Sequence, residues 1–209
     1  MPRPSTASPP TPSAKRHRHT LIPHTPMSIP TPERLVAKLL IARWKHKRPL
    51  AQTIPLARRQ RDDLAALIDA AGAAASTRVQ IRRLPGLEVS STNHSLAMVA
   101  QHLAMTNRDM ATIIASLAAA KPPTIDVVIA NYKPSPDADA AASMAELDAS
   151  LEALTDALAD LPAIEGATLT HPHPWFGPLS ATTWAVFPTF HQQLHLKQAA
   201  LVSRGLAHG

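Results

Sequence analysis

Between Met144 and Leu161, large apolar residues return at intervals of three and four: Met144, Leu147, Leu151, Leu154, Leu158 and Leu161. That rhythm follows one face of an α-helix, whereas a strand repeats every second residue. The same rhythm runs through Leu96, Val99, Leu103, Met110, Ile113 and Leu117, with Thr106 as the only polar interruption. Several such stripes in one chain can be buried only against one another, which predicts an all-α four-helix bundle. Composition agrees. Ala is abundant and only seven residues are Phe, Trp or Tyr, which suits close helix packing better than a sheet sandwich.

The predicted helices are residues 56–75, with Leu64, Leu67, Ile68 and Ala71 inward; 95–119, stopped by Pro122 and Pro123; 139–161; and a last one for which Ser180 is the N-cap. The stretch "TIDVVIANY" has no partner strand in view and is read as a connection packed across the bundle. On the 139–161 helix Asp148, Glu152, Asp156 and Asp160 form a second stripe, read as a solvated face without a catalytic role. Residues 33–55 are expected to form a short amphipathic helix and linker. Thr31 and Pro32 suit its start, and Leu35, Val36, Leu39 and Leu40 form the apolar side it should dock on the bundle. Residues 56–209 form the bundle.

Charge is unevenly spread along the chain. Residues 1–61 hold 13 of the 21 Lys and Arg and one acid, Glu33, whereas residues 62–209 hold 8 Lys and Arg against 14 acids. Residues 1–32 contain nine prolines and no acid, a composition that predicts a disordered leader. It lacks the continuous apolar run of a secretory signal; Arg and Ser without acids also fit an organelle transit peptide, and Met27 offers a second start. No aromatic platform accompanies the positive charge, so a nucleic-acid partner is the least favoured reading. No segment reads as transmembrane, and a cytoplasmic location is expected.

The chain has no cysteine. A metal must therefore be held by His, carboxylate, carbonyl or water. In "FHQQLHLKQ" the last helix carries His191 and His195 four residues apart, an offset of only about 40° and about 6 Å along the axis. Its seam, Trp184, Phe187, His191, Leu194, Gln198 and Leu201, puts His191 and Gln198 at core positions, with His195 beside Leu194 at the edge. Buried polar groups without partners cost about 1 to 3 kcal/mol each, so something should bind them. His102, next to the Val99 and Leu103 seam, is the third candidate: His102, His191 and His195 can meet on one divalent ion if the two helices face each other. Three imidazoles leave coordination sites open, as in catalytic rather than structural zinc centres. Gln198 is the candidate for orienting a ligand from behind. His171 and His173, in "THPHPWFGPLS", are read as part of a stiff strap pinned by Trp175 and Phe176, with Gly177 and Pro178 making the turn.

Together, "HSLAMVAQHLAMT", "HPWFGPLSATTW" and "FHQQLHLKQ" resemble the DinB-like (DinB/YfiT) superfamily, especially an uncharacterised branch with an HPxFGxL segment. The resemblance covers residues 56–204. It implies an up-down-down-up four-helix bundle, three histidines on a divalent metal, frequent homodimers and, in characterised relatives, thiol-dependent transfer or isomerisation. For this chain the implied function is metal-dependent transfer using an external low-molecular-weight thiol and an electrophilic substrate, or hydrolysis by metal-activated water; the alternative is a non-catalytic metal-binding bundle. Zinc or nickel suits the ligands best, with iron or copper next. Three features depart from the family pattern. His94 stands where Trp is usual and, extrapolated along the helix, should not reach the site. Gln192 and Gln193 replace residues commonly basic or His. Pro188, one turn before His191, predicts a kink or a late restart that re-aims His191.

Overall fold

The computed structural model describes residues 31–208, with side chains from Leu35 onward. The leader expected over residues 1–32 lies outside the described residues, apart from Thr31 and Pro32, which already belong to the first helix.

Among the described residues six α-helices follow in order: α1 Thr31–His46, α2 Thr53–Ala71, α3 Leu96–Ala118, α4 Ala140–Ala157, α5 Leu161–Gly166 and α6 Ala181–Leu206. Two short antiparallel hairpins interrupt them: β1 Val79–Gln80 with β2 Asn93–His94, and β3 Thr170–His173 with β4 Gly177–Ser180. The bundle consists of α2, α3, α4 and α6. At one end Ala57, Ile113, Leu117, Leu154 and Ala185 share a core; at the other Leu64, Val99, Leu103, Leu147 and Val202 do. Residue numbers therefore rise in one direction along α2 and α6 and in the opposite direction along α3 and α4. That is the up-down-down-up order the resemblance implies.

Local chemistry accounts for the helix ends. The hydroxyl of Ser95 accepts from the Met98 N–H, the carboxylate of Asp139 from Ala142, and the hydroxyl of Ser180 from Thr183, each satisfying a donor that the first turn leaves unpaired. Helix α2 stops at Ala71 rather than continuing to residue 75, because Gly72 takes a positive φ of 52° and a tight 3-10 turn follows to Ser76. The predicted 139–161 helix is two helices: α4 ends at Ala157, and Asp160 caps α5 by accepting from Ala163. Pro162, which has no N–H to donate, sits in the first turn of α5, where that loss is harmless.

The acidic stripe of α4 is not left idle in solvent. Asp148 takes a forked pair from Arg61 at 2.6 and 2.7 Å, and Glu152 is 3.1 Å from Arg58, so the stripe joins α4 to α2. "TIDVVIANY" is a connection as expected: it ends in a 3-10 turn over Ile129–Tyr132, with Ile125 and Val127 against the core.

Helix α1 docks on the side opposite to the one predicted. Leu35, Val36, Leu39 and Leu40 are 51–70% exposed, and Ile41, only 4% exposed, enters the core instead. Polar anchors choose this face: Trp44 Nε1 donates to Thr189 Oγ1 at 3.0 Å and Lys45 Nζ to Thr182 Oγ1 at 2.5 Å. Pro188 also departs from expectation, since α6 runs unbroken through it. A proline's φ fits a helix, and only one backbone bond is forfeited. Next to it, Thr189 is braced from two other helices, by Trp44 on its hydroxyl and by Gln60 Nε2 on its carbonyl at 3.0 Å.

Candidate metal centre

Helix α3 brings His102 to face α6, and α6 brings His191 and His195. One ring nitrogen from each lies within 4.8 Å of the others, so the three can hold a metal ion. The Nε2 atoms of His191 and His195 are 3.1 Å apart. Two imidazole nitrogens each about 2.0–2.1 Å from a common ion at an angle of roughly 100° would stand at that separation. Ring centroids are 4.5 Å apart for His102 and His195, 4.5 Å for His191 and His195, and 5.2 Å for His102 and His191.

The face that α6 buries is shifted from the predicted seam. His195 is 4% exposed and sits within the buried face rather than at its edge, Gln192 is 1% exposed, and Leu194 is only half-buried and lines the cavity described below. Three and four residue steps can be drawn through either set; packing selects the second.

Hydrogen bonds assign the tautomers of two rings. His102 Nδ1 lies 2.7 Å from the carbonyl oxygen of Tyr132, which can only accept; Nδ1 therefore carries the proton and Nε2 a free lone pair. For His195 the deciding group is Gln198. Its Nε2 donates to the Ser91 carbonyl at 2.7 Å, which orients the amide and leaves Oε1 to accept from His195 Nδ1 at 2.6 Å. His195 Nε2 is thus also unprotonated. His191 is less constrained: its Nδ1 is buried without a partner, and its ring stacks on Phe187 at 6.0 Å and 18°. Gln198 thus stands behind His195.

Electrostatics favour the neutral rings a metal needs. Burial pushes His191 and His195 well below the ordinary imidazole range, and the neighbouring histidines lower both further. Burial lowers His102 as well, partly offset by its bond to the Tyr132 carbonyl.

Several groups around the centre were not assigned a place there by the sequence. His94 belongs to β2 rather than to α3, so helical extrapolation does not apply to it; it stays outside the three-histidine set, but its Nδ1 accepts from Gln198 Nε2 at 3.2 Å. Burial, then His102 and Arg78, lower it to about 4. Tyr132 contributes its carbonyl to His102 and its hydroxyl to Asp109 Oδ2 at 2.6 Å; burial and that bond raise its own pKa. In the bundle centre, Gln192 Nε2 reaches Asn107 Oδ1 at 3.5 Å, and Asn107 Nδ2 donates to Ser150 at 3.2 Å.

The strap reading of 170–180 takes the form of the β3–β4 hairpin, with Phe176 buried; the chain reverses over residues 174–176, and Pro178 lies in β4 opposite Pro172. Neither His171 nor His173 is in the three-histidine set. The His171 carbonyl accepts from Trp184 Nε1 at 3.1 Å, and His173 Nδ1 accepts from the Trp175 N–H at 3.1 Å. Burial lowers His173 to about 3.

All three histidines of the centre line one cavity of about 1230 Å³. Its walls include Trp44, Met98, Met110, Phe187 and Phe190, and Arg43, Lys47, Arg78, Lys133 and Lys197 also border it. Among the described residues no helix is long and apolar enough to cross a membrane. No curated protein and no solved structure matches the chain. The sequence profile of the DinB superfamily matches residues 56–199, more than half of the chain, and the chain therefore belongs to the DinB superfamily.

Proposed function

We propose that His102, His191 and His195 hold a divalent ion at the wall of the cavity, and that the protein is a metal-dependent enzyme acting on a small molecule bound there. One observation carries this reading: two imidazole Nε2 atoms meet at 3.1 Å with the third histidine's nitrogen within 4.8 Å, while the outer nitrogens of His102 and His195 are tied to acceptors. Two facing lone pairs repel unless a proton or a cation lies between them, and a cation is held by all three rings together. Neutral nitrogen donors suit zinc or nickel best, with iron or copper next. When bound, such an ion supplies Lewis acidity that makes a thiol or water more acidic and polarises a substrate oxygen.

The chain's own residues do the positioning. Gln198 and the Tyr132 carbonyl hold two rings in the tautomer that presents Nε2, and Met98, Phe187 and Phe190 line the cavity beside them. With no cysteine in the chain, thiol-dependent transfer draws its thiol from an external low-molecular-weight donor and passes the group to or from an electrophile. Hydrolysis is the second route. We read the protein as cytoplasmic and, as the resemblance implies, as a homodimer.

The test is elemental analysis of the untagged protein beside a His102→Ala, His191→Ala, His195→Ala variant shown by circular dichroism to remain helical. Near-stoichiometric metal in the first and little in the second is expected; equal metal in both removes the centre. Turnover with an electrophile plus a thiol then separates enzyme from carrier, since metal without turnover would make the bundle a non-catalytic metal-binding protein.

A further inference from the structure

The cavity differs from a simple apolar pocket in the charge around it. Arg43, Lys47, Arg48, Arg78, Lys133 and Lys197 all border it, and among the described residues none of these six has a carboxylate within 4.0 Å. Among the described residues only two acids border it, Glu88 and Asp109, and Asp109 is engaged by the Tyr132 hydroxyl. Like-signed charges around a low-dielectric cleft focus their potential into it. The bundle following residue 61 is acidic overall, so the positive mouth is a local arrangement rather than a reflection of net charge.

Three of these cations sit together near the C-terminal end of α1, and from there an aromatic track leads inward. Arg48 lies over the Trp44 ring at 3.5 Å. Trp44 meets Phe190 at 5.7 Å, Phe190 meets Phe187 at 6.0 Å, and Phe187 stacks on His191 at 6.0 Å. Each of these rings lines the cavity. Where Val36 and Leu40 join the lip, they are 57% and 51% exposed, so the apolar wall continues outward on the same helix. A small polar anion would leave the aromatic surface wet, and a neutral hydrocarbon would leave the cations without a counter-charge.

We propose that the cavity binds an anionic amphiphile: a carboxylate or phosphate headgroup at Arg43, Lys47 and Arg48, and an alkyl or aromatic body along Trp44, Phe190 and Phe187, so that the far end of the body reaches the three imidazoles. Only that last clause rests on the proposed metal chemistry. The ligand's charge is held at the mouth, not at the metal centre, and this is what separates the inference from carboxylate coordination.

The experiment compares octanoate, octanol and octylammonium by titration calorimetry against the full chain, once dialysed against chelator and once loaded with zinc. Octanoate is expected to bind at least about tenfold more tightly than either of the others, in both forms, with the preference shrinking as salt rises. A triple Arg43→Glu, Lys47→Glu, Arg48→Glu variant should bring octanoate down to the level of octanol, with the far-ultraviolet dichroism unchanged; a Lys121→Glu, Arg204→Glu control, outside the cavity, should not. Equal affinity for the three ligands overturns the proposal. So does a preference for octanoate that vanishes on removal of zinc, which would place the headgroup on the metal. Should the protein bind no zinc and still prefer octanoate, the metal centre fails and the amphiphile site stands.

Discussion

Two pairs of histidines in this chain follow the spacing of the element that carries them. On α6, His191 and His195 are four apart and share a helix face; on β3, His171 and His173 are two apart and share a strand face, both rings lying against Trp184 at 6.0 and 5.7 Å. Burial does not separate the pairs, since His171 and His195 are both buried, and burial depresses the pKa of His173 as it does that of His195. The difference is where the lone pairs go. The helical pair points Nε2 at Nε2 with a third imidazole beside them, whereas His173 spends its Nδ1 lone pair on the Trp175 N–H and packs between Phe176 and Phe187 at 4.8 and 5.0 Å. A shifted imidazole is common to a packed hairpin and to a ligand site. Of the two pairs, only the helical one brings three ring nitrogens together.

The sharpest way to break this comparison is to remove one member of each pair. His195→Ala is expected to lower zinc affinity by more than about a hundredfold, since only two ligands remain and the i, i+4 chelate is lost, while His173→Phe should retain zinc within about threefold and lose at most a few kcal/mol of stability. Competition with a chromogenic chelator measures the first quantity and thermal melting the second. If His173→Phe sheds metal as completely as His195→Ala, the hairpin histidine belongs to the centre and the distinction collapses.

Next in size is the group behind His195. Gln198 is fully buried, accepts from His195 Nδ1 and donates to Ser91 and His94. Gln198→Leu removes the acceptor that holds His195 in the Nδ1–H tautomer and should weaken zinc binding about 10 to 100-fold. Gln198→Glu keeps an acceptor at the same place and should restore most of it. Equal losses in the two variants would mean that the donor to the Ser91 carbonyl, which both lack, matters more to the centre than the acceptor for His195.

How much of this could be seen beforehand depended on whether the signal was periodic or positional. The α3 and α4 seams were legible because every core position is apolar, and all of Leu96, Val99, Leu103, Ile113, Leu147 and Leu154 are buried as the rhythm requires. Helix α1 was not, because it is apolar on two sides: Leu35, Val36, Leu39 and Leu40 on one, Ala37, Ile41 and Trp44 on the other. Hydrogen bonds to Thr182 and Thr189, more than a hundred residues away, settle that choice, and no local pattern encodes them. In the centre, spacing supplied His191 and His195, and position beside a seam supplied His102. The Tyr132 carbonyl escaped because any residue carries one, and His94 because the turn before Ser95 is not helical.

Within the hairpin, the comparison predicts an effect on stability without one on metal. Trp184 is 1% exposed and its Nε1 donates to the His171 carbonyl, so Trp184→Phe leaves that carbonyl short of a donor and the core short of part of a ring. A loss of about 1 to 2 kcal/mol is expected in urea unfolding, with zinc stoichiometry unchanged. Loss of zinc alongside stability would show that the hairpin holds α6 in the register the ligands need.

The smallest effect is expected at Tyr132, and it discriminates because two of its groups face the centre for different reasons. Its carbonyl orients His102 at 2.7 Å, while its hydroxyl donates to Asp109 at 2.6 Å. Tyr132→Phe deletes only the second bond, so zinc affinity should fall by no more than about threefold; the stability cost should be about 1 kcal/mol, that of one ordinary hydrogen bond at a half-buried site. Tyr132→Pro tests the other group only indirectly, since it alters the backbone of the turn that presents the carbonyl. The phenylalanine variant is therefore the clean one: a drop in metal affinity as large as that of Gln198→Leu would mean that the Asp109 carboxylate, acting through the phenol, matters more to the centre than the backbone oxygen does.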